Sequence, residues 1–123
     1  MASPPAVLLV DDDSRVLSAL QRCLRREPFD LAIASDGEAA LELLSERSFD
    51  LVISDQKMPG MSGLELLTIV RQKWPSAARV MLTGWSGEID PMALKAAGLF
   101  ATLPKPWDDG ELRETIRRAL DSE

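Results

Sequence analysis

The stretch Ala-Val-Leu-Leu-Val-Asp-Asp-Asp at residues 6–13 is the part of the sequence that decides the fold. Its five apolar residues run without a break into three aspartates, which is the pattern of a strand buried on both faces of a parallel sheet. The stretch Leu-Val-Ile-Ser-Asp at residues 51–55 repeats this pattern and again ends in an aspartate. Two such strands predict a mostly parallel sheet covered by helices on both faces.

Helical and extended segments alternate along the rest of the chain. Apolar residues recur at helical spacing over residues 14–26, and the alternation over residues 29–34 predicts an edge strand. Further predicted segments are a helix opened by Asp36, a helix from a Ser62–Glu65 capping box towards Trp74, a strand at residues 80–82, a helix from Asp90 and Pro91 to Gly98, a strand at residues 99–103, and a helix capped by Asp108. Right-handed crossovers leave few topologies for such a chain, and we expect a flavodoxin-like (βα)5 doubly wound sheet of order 2-1-3-4-5.

The composition restricts the class of protein. A length of 123 residues suits a single domain, and we expect a core from about residue 5 to residue 121 with no output domain in this chain. The net charge of −6 argues against direct binding to nucleic acid. The absence of histidine removes the commonest general base and transition-metal ligand.

The cysteine content and the N-terminal segment indicate a cytoplasmic location. Cys23 is the only cysteine of the sequence, so it forms no internal disulfide, and its place in an apolar helical stripe predicts a buried small hydrophobe. The apolar run at residues 6–10 is too short for a signal peptide or a membrane span. We therefore expect no association with a membrane.

Polar residues gather where the predicted strands end. Strand one ends in three aspartates and strand three in Asp55, while strand four ends in Thr83 and strand five leads to Lys105. Ligands of such sheets bind at the carboxyl ends of the strands, at the point where the strand order reverses. Carboxylates crowded there need a cation, and oxygen donors without histidine favour Mg2+. The first aspartates have a plainer interpretation as helix caps, which the sequence leaves open.

Five motifs resemble those of response regulator receiver domains of two-component signal transduction, in the CheY-like superfamily. They are Val-Leu-Leu-Val-Asp-Asp-Asp (7–13), Asp-Leu-Val-Ile-Ser-Asp (50–55), Met-Pro-Gly-Met-Ser-Gly (58–63), Leu-Thr-Gly (82–84) and Lys-Pro-Trp (105–107). The motifs occur in the family's order and cover essentially the whole chain. The resemblance implies a phosphoacceptor signalling domain, not an enzyme.

The resemblance also implies a role for individual residues. Asp55 is the expected phosphoacceptor and, with Asp11, Asp12 and the backbone carbonyl of Lys57, a ligand of Mg2+. Asp12 is expected to bind the ion directly and Asp11 largely through water.

The phosphoryl group itself is expected to meet two further residues. Thr83 donates its hydroxyl to a phosphoryl oxygen in this family, and Lys105, whose bond to Pro106 the family usually holds cis, pairs with the phosphoryl charge.

The sequence departs from the family at the position of the conformational switch. The family usually has Tyr, Phe or His three residues before the lysine, where this chain has Thr102. Thr83, Thr102 and Trp85 are therefore the expected switch residues, with Lys57 and Trp85 at positions that commonly tune the lifetime of the phosphoryl bond. We expect the loop with Trp85, or the start of the helix at Pro91, to change its conformation on phosphorylation, in place of the aromatic ring that moves in most of the family.

The expected partners follow from the resemblance. They are a sensor histidine kinase or phosphotransfer protein as donor, and a second copy or a fused effector domain at the face of the fourth helix, fifth strand and fifth helix. The segment Lys-Pro-Trp-Asp at residues 105–108 is also similar to receivers fused to HD-type phosphodiesterases or ATPase-type activators. The alternative is a phosphatase of the haloacid dehalogenase type, in which Asp11 and Asp13 would form the Asp-x-Asp motif and Asp55 would have no role.

Overall fold

The computed structural model describes residues 4–84 and 90–121, in which strands and helices alternate from one end to the other. The strands are β1 (Ala6–Val10), β2 (Asp30–Ala34), β3 (Leu51–Asp55), β4 (Ala78–Thr83) and β5 (Ala101–Pro104). The helices are α1 (Ser14–Leu24), α2 (Gly37–Glu46), α3 (Gly63–Lys73), α4 (Pro91–Ala97) and α5 (Asp109–Asp121).

The strands form one parallel sheet in the order β2-β1-β3-β4-β5, as the sequence predicts. Every residue of β1 and β3 is buried, whereas β2 is partly exposed at the edge of the sheet. Val10 is paired with Ser54 in the register of β1 and β3, so the residues that follow these strands emerge side by side. The reversal of strand order lies here, between β1 and β3.

Each face of the sheet carries its own apolar core. One core packs side chains of α2, α3 and α4 against Leu8, Val10 and Val52. The other packs α1 and α5 against Val7, Leu9 and Ile53. This alternation along β1 and β3 explains why their sequences are apolar without interruption. Among the described residues, no helix is long and apolar enough to cross a membrane.

The helices begin at the capping residues that the sequence predicts. Asp36 Oδ1 accepts from Ala39 N at 2.8 Å, and Asp90 Oδ1 accepts from Met92 N at 3.0 Å. Ser62 and Glu65 form the predicted capping box at the start of α3. Asp108 accepts from Glu111 N at 2.8 Å. These bonds satisfy amide donors that have no partner within the first turn of a helix.

Several predicted details differ from the structure. Strand β4 (Ala78–Thr83) extends beyond the predicted residues 80–82 at both ends. Strand β5 begins at Ala101 instead of residue 99, because Gly98 ends α4 with a left-handed φ of 59° and the chain must turn before it can pair with β4. Helix α1 ends at Leu24, two residues earlier than predicted. Cys23 is partly instead of fully buried, and burial still raises the pKa of its thiol.

Candidate functional site

Three carboxylates meet at the carboxyl ends of β1 and β3. Asp11, Asp12 and Asp55 each offer an oxygen, and these oxygens all lie within 4.8 Å of one another. Asp11 and Asp55 are buried, with 1% and 7% of their surface exposed, whereas Asp12 is exposed. Like charges at this separation repel each other, so the cluster requires a compensating positive charge.

Lys105 supplies part of that charge from the end of β5. Its ammonium nitrogen lies 3.1 Å from Asp11 Oδ2 and 3.3 Å from Asp55 Oδ1. The backbone of Lys105 is fixed by a bond from its amide to Thr83 O at 3.1 Å, and its peptide bond to Pro106 is cis. One ammonium group therefore bridges the ends of β1 and β3 from across the sheet.

The electrostatics of the cluster shift two pKa values. Burial, with a further contribution from the charge of Asp11, raises the pKa of the Asp55 carboxyl above its ordinary value, although Lys105 opposes the shift. Burial alone would lower the pKa of Lys105, but its bonds to Asp11 and Asp55 outweigh this effect and raise it. The ionised form of Asp55 is thus disfavoured in the folded protein, whereas the charged form of Lys105 is favoured.

The first three aspartates have different local roles. Besides its contact with Lys105, Asp11 makes two further bonds, since its amide donates to Ala34 O at 3.2 Å and its Oδ1 accepts from Asp13 N at 2.9 Å. Asp13 caps α1 by accepting from Arg15 N at 2.9 Å, and its bonds to Arg15 lower the pKa of its carboxyl. The cap interpretation therefore holds for Asp13, while Asp11 and Asp12 face the site.

A pocket of about 310 Å³ opens beside the carboxylates. Among the described residues it is lined by Asp55, Lys57, Thr83, Gly84 and Lys105. Thr83 is buried at the end of β4, next to β3 in the sheet, and lines this pocket together with Asp55. An aspartate, a threonine and two lysines thus line one small cavity, a set of residues that suits a small anion bound together with a cation.

A comparison with known proteins identifies the family. A family model described as "Response regulator receiver domain" matches residues 7–117. This chain is a member of the response regulator receiver domain family. It is therefore a receiver domain of a response regulator, as the motifs predict, and nothing in the comparisons favours the phosphatase alternative.

Curated relatives of this receiver domain are longer response regulators. The chain is 35% identical to the hydrogenase transcriptional regulatory protein HoxA of Cupriavidus necator over 95% of its length and 24% of that protein. It is 40% identical to the transcriptional regulatory protein CpxR of Escherichia coli over 93% of its length and 48% of that protein. The chain thus spans about a quarter of the first relative and about half of the second.

Solved structures share the fold over nearly the whole chain. The signal receiver domain of an HD domain-containing protein from Pseudomonas fluorescens is 38% identical, with a TM-score of 0.89 over 97% of this chain and 96% of that one. A CheY-like receiver domain protein from Methanospirillum hungatei is 30% identical, with a TM-score of 0.92 over 98% and 96% of the two chains.

Of the predicted switch residues of the receiver domain, the structure describes Thr83 and Thr102. Thr102 is exposed on β5, opposite Met81, and is not among the described residues that line the pocket. Trp85 lies outside the described residues. Of the two described switch residues, Thr83 lines the pocket.

Gln56 is a residue that the sequence did not single out. It follows Asp55 directly, and its side-chain oxygen accepts from Leu64 N at 2.8 Å at the start of α3. The Ser62–Glu65 capping box can be recognised in the sequence because its two residues lie three positions apart at the start of the helix. Gln56 reaches the same helix from eight residues away, so no local sequence pattern reveals its contact.

Proposed function

We propose that Asp55 is the phosphoacceptor of this receiver domain. Its carboxylate oxygen attacks the phosphorus of a phosphohistidine on a sensor kinase or phosphotransfer protein, or of a small acyl phosphate. A bond forms between the Asp55 oxygen and phosphorus, the bond from phosphorus to the histidine nitrogen breaks, and the imidazole leaves. The observation that carries this proposal is the position of Asp55 at the end of β3, against the pocket and within 3.3 Å of Lys105.

The donor set fits Mg2+ as the resident cation. Asp11, Asp12, Asp55 and the backbone carbonyl of Lys57 would hold the ion, all of them through oxygen, which hard cations prefer. Bound Mg2+ supplies positive charge that offsets the repulsion between carboxylates and an incoming phosphoryl group. The pKa of Asp55 is raised first by burial and then by the charge of Asp11, and a bound cation would offset both effects.

Lys105 and Thr83 are proposed to hold the transferred group. A phosphoryl group on Asp55 lies within reach of the Lys105 ammonium, which already contacts an Asp55 oxygen and neutralises the added charge. Thr83 lines the same pocket and donates its hydroxyl to a phosphoryl oxygen. Neither residue forms a covalent bond, so both act by binding and orientation.

The domain is proposed to act as a switch instead of an enzyme. The chain forms one receiver domain, and phosphorylation changes the face made by α4, β5 and α5, where a second copy or an effector domain binds. The phosphatase alternative is disfavoured by the bond of Asp13 to the start of α1, which directs this carboxylate to a capping role. A lone cysteine that forms no internal disulfide supports a cytoplasmic location as part of the same proposal.

Acetyl phosphate and Mg2+ test the acceptor directly. Intact-mass spectrometry should show one added phosphate on the parent protein and none on Asp55→Asn. Asp36→Asn is the matched control, because asparagine caps α2 as well as aspartate does and the residue lies away from the cluster. Undiminished labelling of Asp55→Asn would place the acceptor elsewhere, and sustained turnover of a phosphomonoester would favour a phosphatase.

A further inference from the structure

Gln56 makes three hydrogen bonds that tie the acceptor strand to its neighbours. Its amide donates to Leu82 O on β4 at 3.3 Å, and its backbone oxygen accepts from Gly63 N at 3.0 Å. Its side-chain Oε1 accepts from Leu64 N at 2.8 Å. A single residue directly after Asp55 therefore contacts both β4 and the first turn of α3.

The start of α3 is completed by two residues. Its first two amides, those of Gly63 and Leu64, donate to Gln56, whereas the amide of Glu65 donates to Ser62 Oγ at 3.2 Å. Helix amides at these positions have no partner inside the helix. Gln56 and Ser62 thus both cap the start of α3, but of the two only Gln56 is adjacent to Asp55 in the sequence.

The first turn of α3 is packed directly on the acceptor backbone. A Cβ atom on Gly63 would lie 2.2 Å from Asp55 O, so only glycine fits where the helix meets the strand. The Gln56 bonds to Gly63 and Leu64 hold this close approach. Lys57 follows at once and leads to Met58, whose side chain is buried in the core with α2 and α3. The backbone of Lys57 is therefore held on one side by Gln56 and on the other by Met58.

We propose that Gln56 is a positioning residue of the site: by holding α3 against the end of β3, its side chain fixes the backbone of Asp55 and Lys57 in the geometry that binds the cation. This proposal rests on the proposed function, because it concerns the same metal ligands. The side chain of Gln56 bonds to α3, so it acts through the backbone and touches neither the cation nor the phosphoryl group. Partners of this kind orient the groups that bind a metal and affect its affinity without contacting it.

Mg2+ affinity tests the proposal in the full chain. Gln56→Met keeps the length of the side chain but removes the oxygen that accepts from Leu64. Melting temperatures with and without Mg2+ give each variant's own dissociation constant for the ion, independent of its stability in metal-free buffer. We expect the dissociation constant of Gln56→Met to be about tenfold higher than that of the parent. We also expect slower labelling by acetyl phosphate at low Mg2+ concentration, with recovery at high concentration.

Ser62→Ala is the matched control, since it removes another cap of the same helix without touching the acceptor strand. It should lower the melting temperature of the metal-free protein but leave the Mg2+ dissociation constant at the parent value. Gln56→Glu retains an acceptor oxygen and should bind Mg2+ at least as tightly as the parent. If Gln56→Met does not fold, Gln56→Asn, which is too short to reach Leu64, takes its place in the same measurement.

Two results would overturn the role of Gln56. One is a Gln56→Met protein that binds Mg2+ as tightly as the parent. The other is an equal loss of affinity in Gln56→Met and Ser62→Ala, which would reduce Gln56 to an ordinary helix cap. Failure of the proposed function looks different, because the parent protein itself would then neither bind Mg2+ nor take up phosphate.

Discussion

The ammonium group of Lys105 lies 3.3 Å from Asp55 Oδ1, yet the pKa of the Asp55 carboxyl remains above its ordinary value. Burial and the negative charge of Asp11 raise this pKa by more than Lys105 lowers it. The ammonium group of Lys105 is shared between Asp11 and Asp55. Without a bound cation, the ionised form of Asp55 therefore makes the folded state less stable than a neutral residue would.

Asp55→Asn should stabilise the metal-free protein at neutral pH. In the parent, the folded state holds a proton on Asp55 more tightly than the unfolded state, so stability falls as pH rises from the unfolded value of 3.8 through the raised folded value. Asparagine is neutral throughout, so Asp55→Asn should be more stable than the parent at pH 7. Urea unfolding over a range of pH measures this difference in stability. The advantage should vanish in acid, where both side chains are neutral, and a variant less stable than the parent at neutral pH would contradict the prediction.

Asp12→Ala should separate charge repulsion from metal binding. Asp12 is exposed and lies in the carboxylate cluster, so its removal should raise the melting temperature in metal-free buffer while abolishing stabilisation by Mg2+. The control is Asp13→Asn, which keeps the cap of α1 and should retain the Mg2+ effect. Equal Mg2+ shifts in Asp12→Ala and the parent would show that Asp12 is not a ligand.

The strand order and the carboxylate cluster could be predicted from the sequence because the general rules of parallel sheets apply to clear local patterns in this chain. The apolar runs of β1 and β3 fix these as central strands, and adjacent parallel strands bring Asp11, Asp12 and Asp55 to one edge. The residue pattern alone did not distinguish Asp13 from its neighbours, although the family resemblance selected Asp11 and Asp12 as ligands; the bond that Asp13 accepts from Arg15 N identifies it as a cap.

Other features depend on contacts that sequence patterns do not encode. Gln56 bonds to Leu64 across a loop, so neither helical nor strand periodicity marks it. The late start of β5 depends on the left-handed Gly98 and on Arg79, whose Nε donates to Gly98 O at 3.1 Å and whose backbone oxygen accepts from Phe100 N at 2.7 Å. A strand predicted from apolar residues alone therefore began too early, at Leu99.

Arg71→Met should loosen α4 at its C-terminal end. Arg71 Nη1 donates to Lys95 O at 3.0 Å and Ala96 O at 2.9 Å, two carbonyls of the last turn of α4, of which Lys95 O also accepts from Gly98 N at 3.1 Å. Their loss should cost about 1 kcal/mol of stability and speed amide exchange over α4. Urea unfolding measures the loss of stability, and hydrogen exchange measures the faster amide exchange over α4. Arg118→Met, on the exposed side of α5, should change neither, and unchanged exchange in Arg71→Met would show that α4 is held by its packing alone.

Thr102→Tyr should be tolerated, because Thr102 is exposed on β5 and a larger ring meets no buried neighbour there. The expected change in stability is within about 0.5 kcal/mol, measured by urea unfolding. Leu103→Tyr, at the buried neighbouring position, is the contrasting control and should destabilise strongly. A large loss in Thr102→Tyr would mean that the position closes on folding, contrary to its exposure.

Conformational change on phosphorylation should be reported by the segment between β4 and α4. Thr83 lines the pocket and precedes this segment, whereas Thr102 lacks the volume to follow it inward. Helix α4 is anchored by Arg71 at its far end, and its first turn begins at Pro91, which has no amide to donate. A beryllofluoride mimic of the phosphoryl group should therefore change the fluorescence of Trp85 in a protein carrying Trp74→Phe and Trp107→Phe. The same protein with Asp55→Asn is the control and should not respond. A silent Trp85, together with altered amide exchange around Thr102, would show that the change passes through β5.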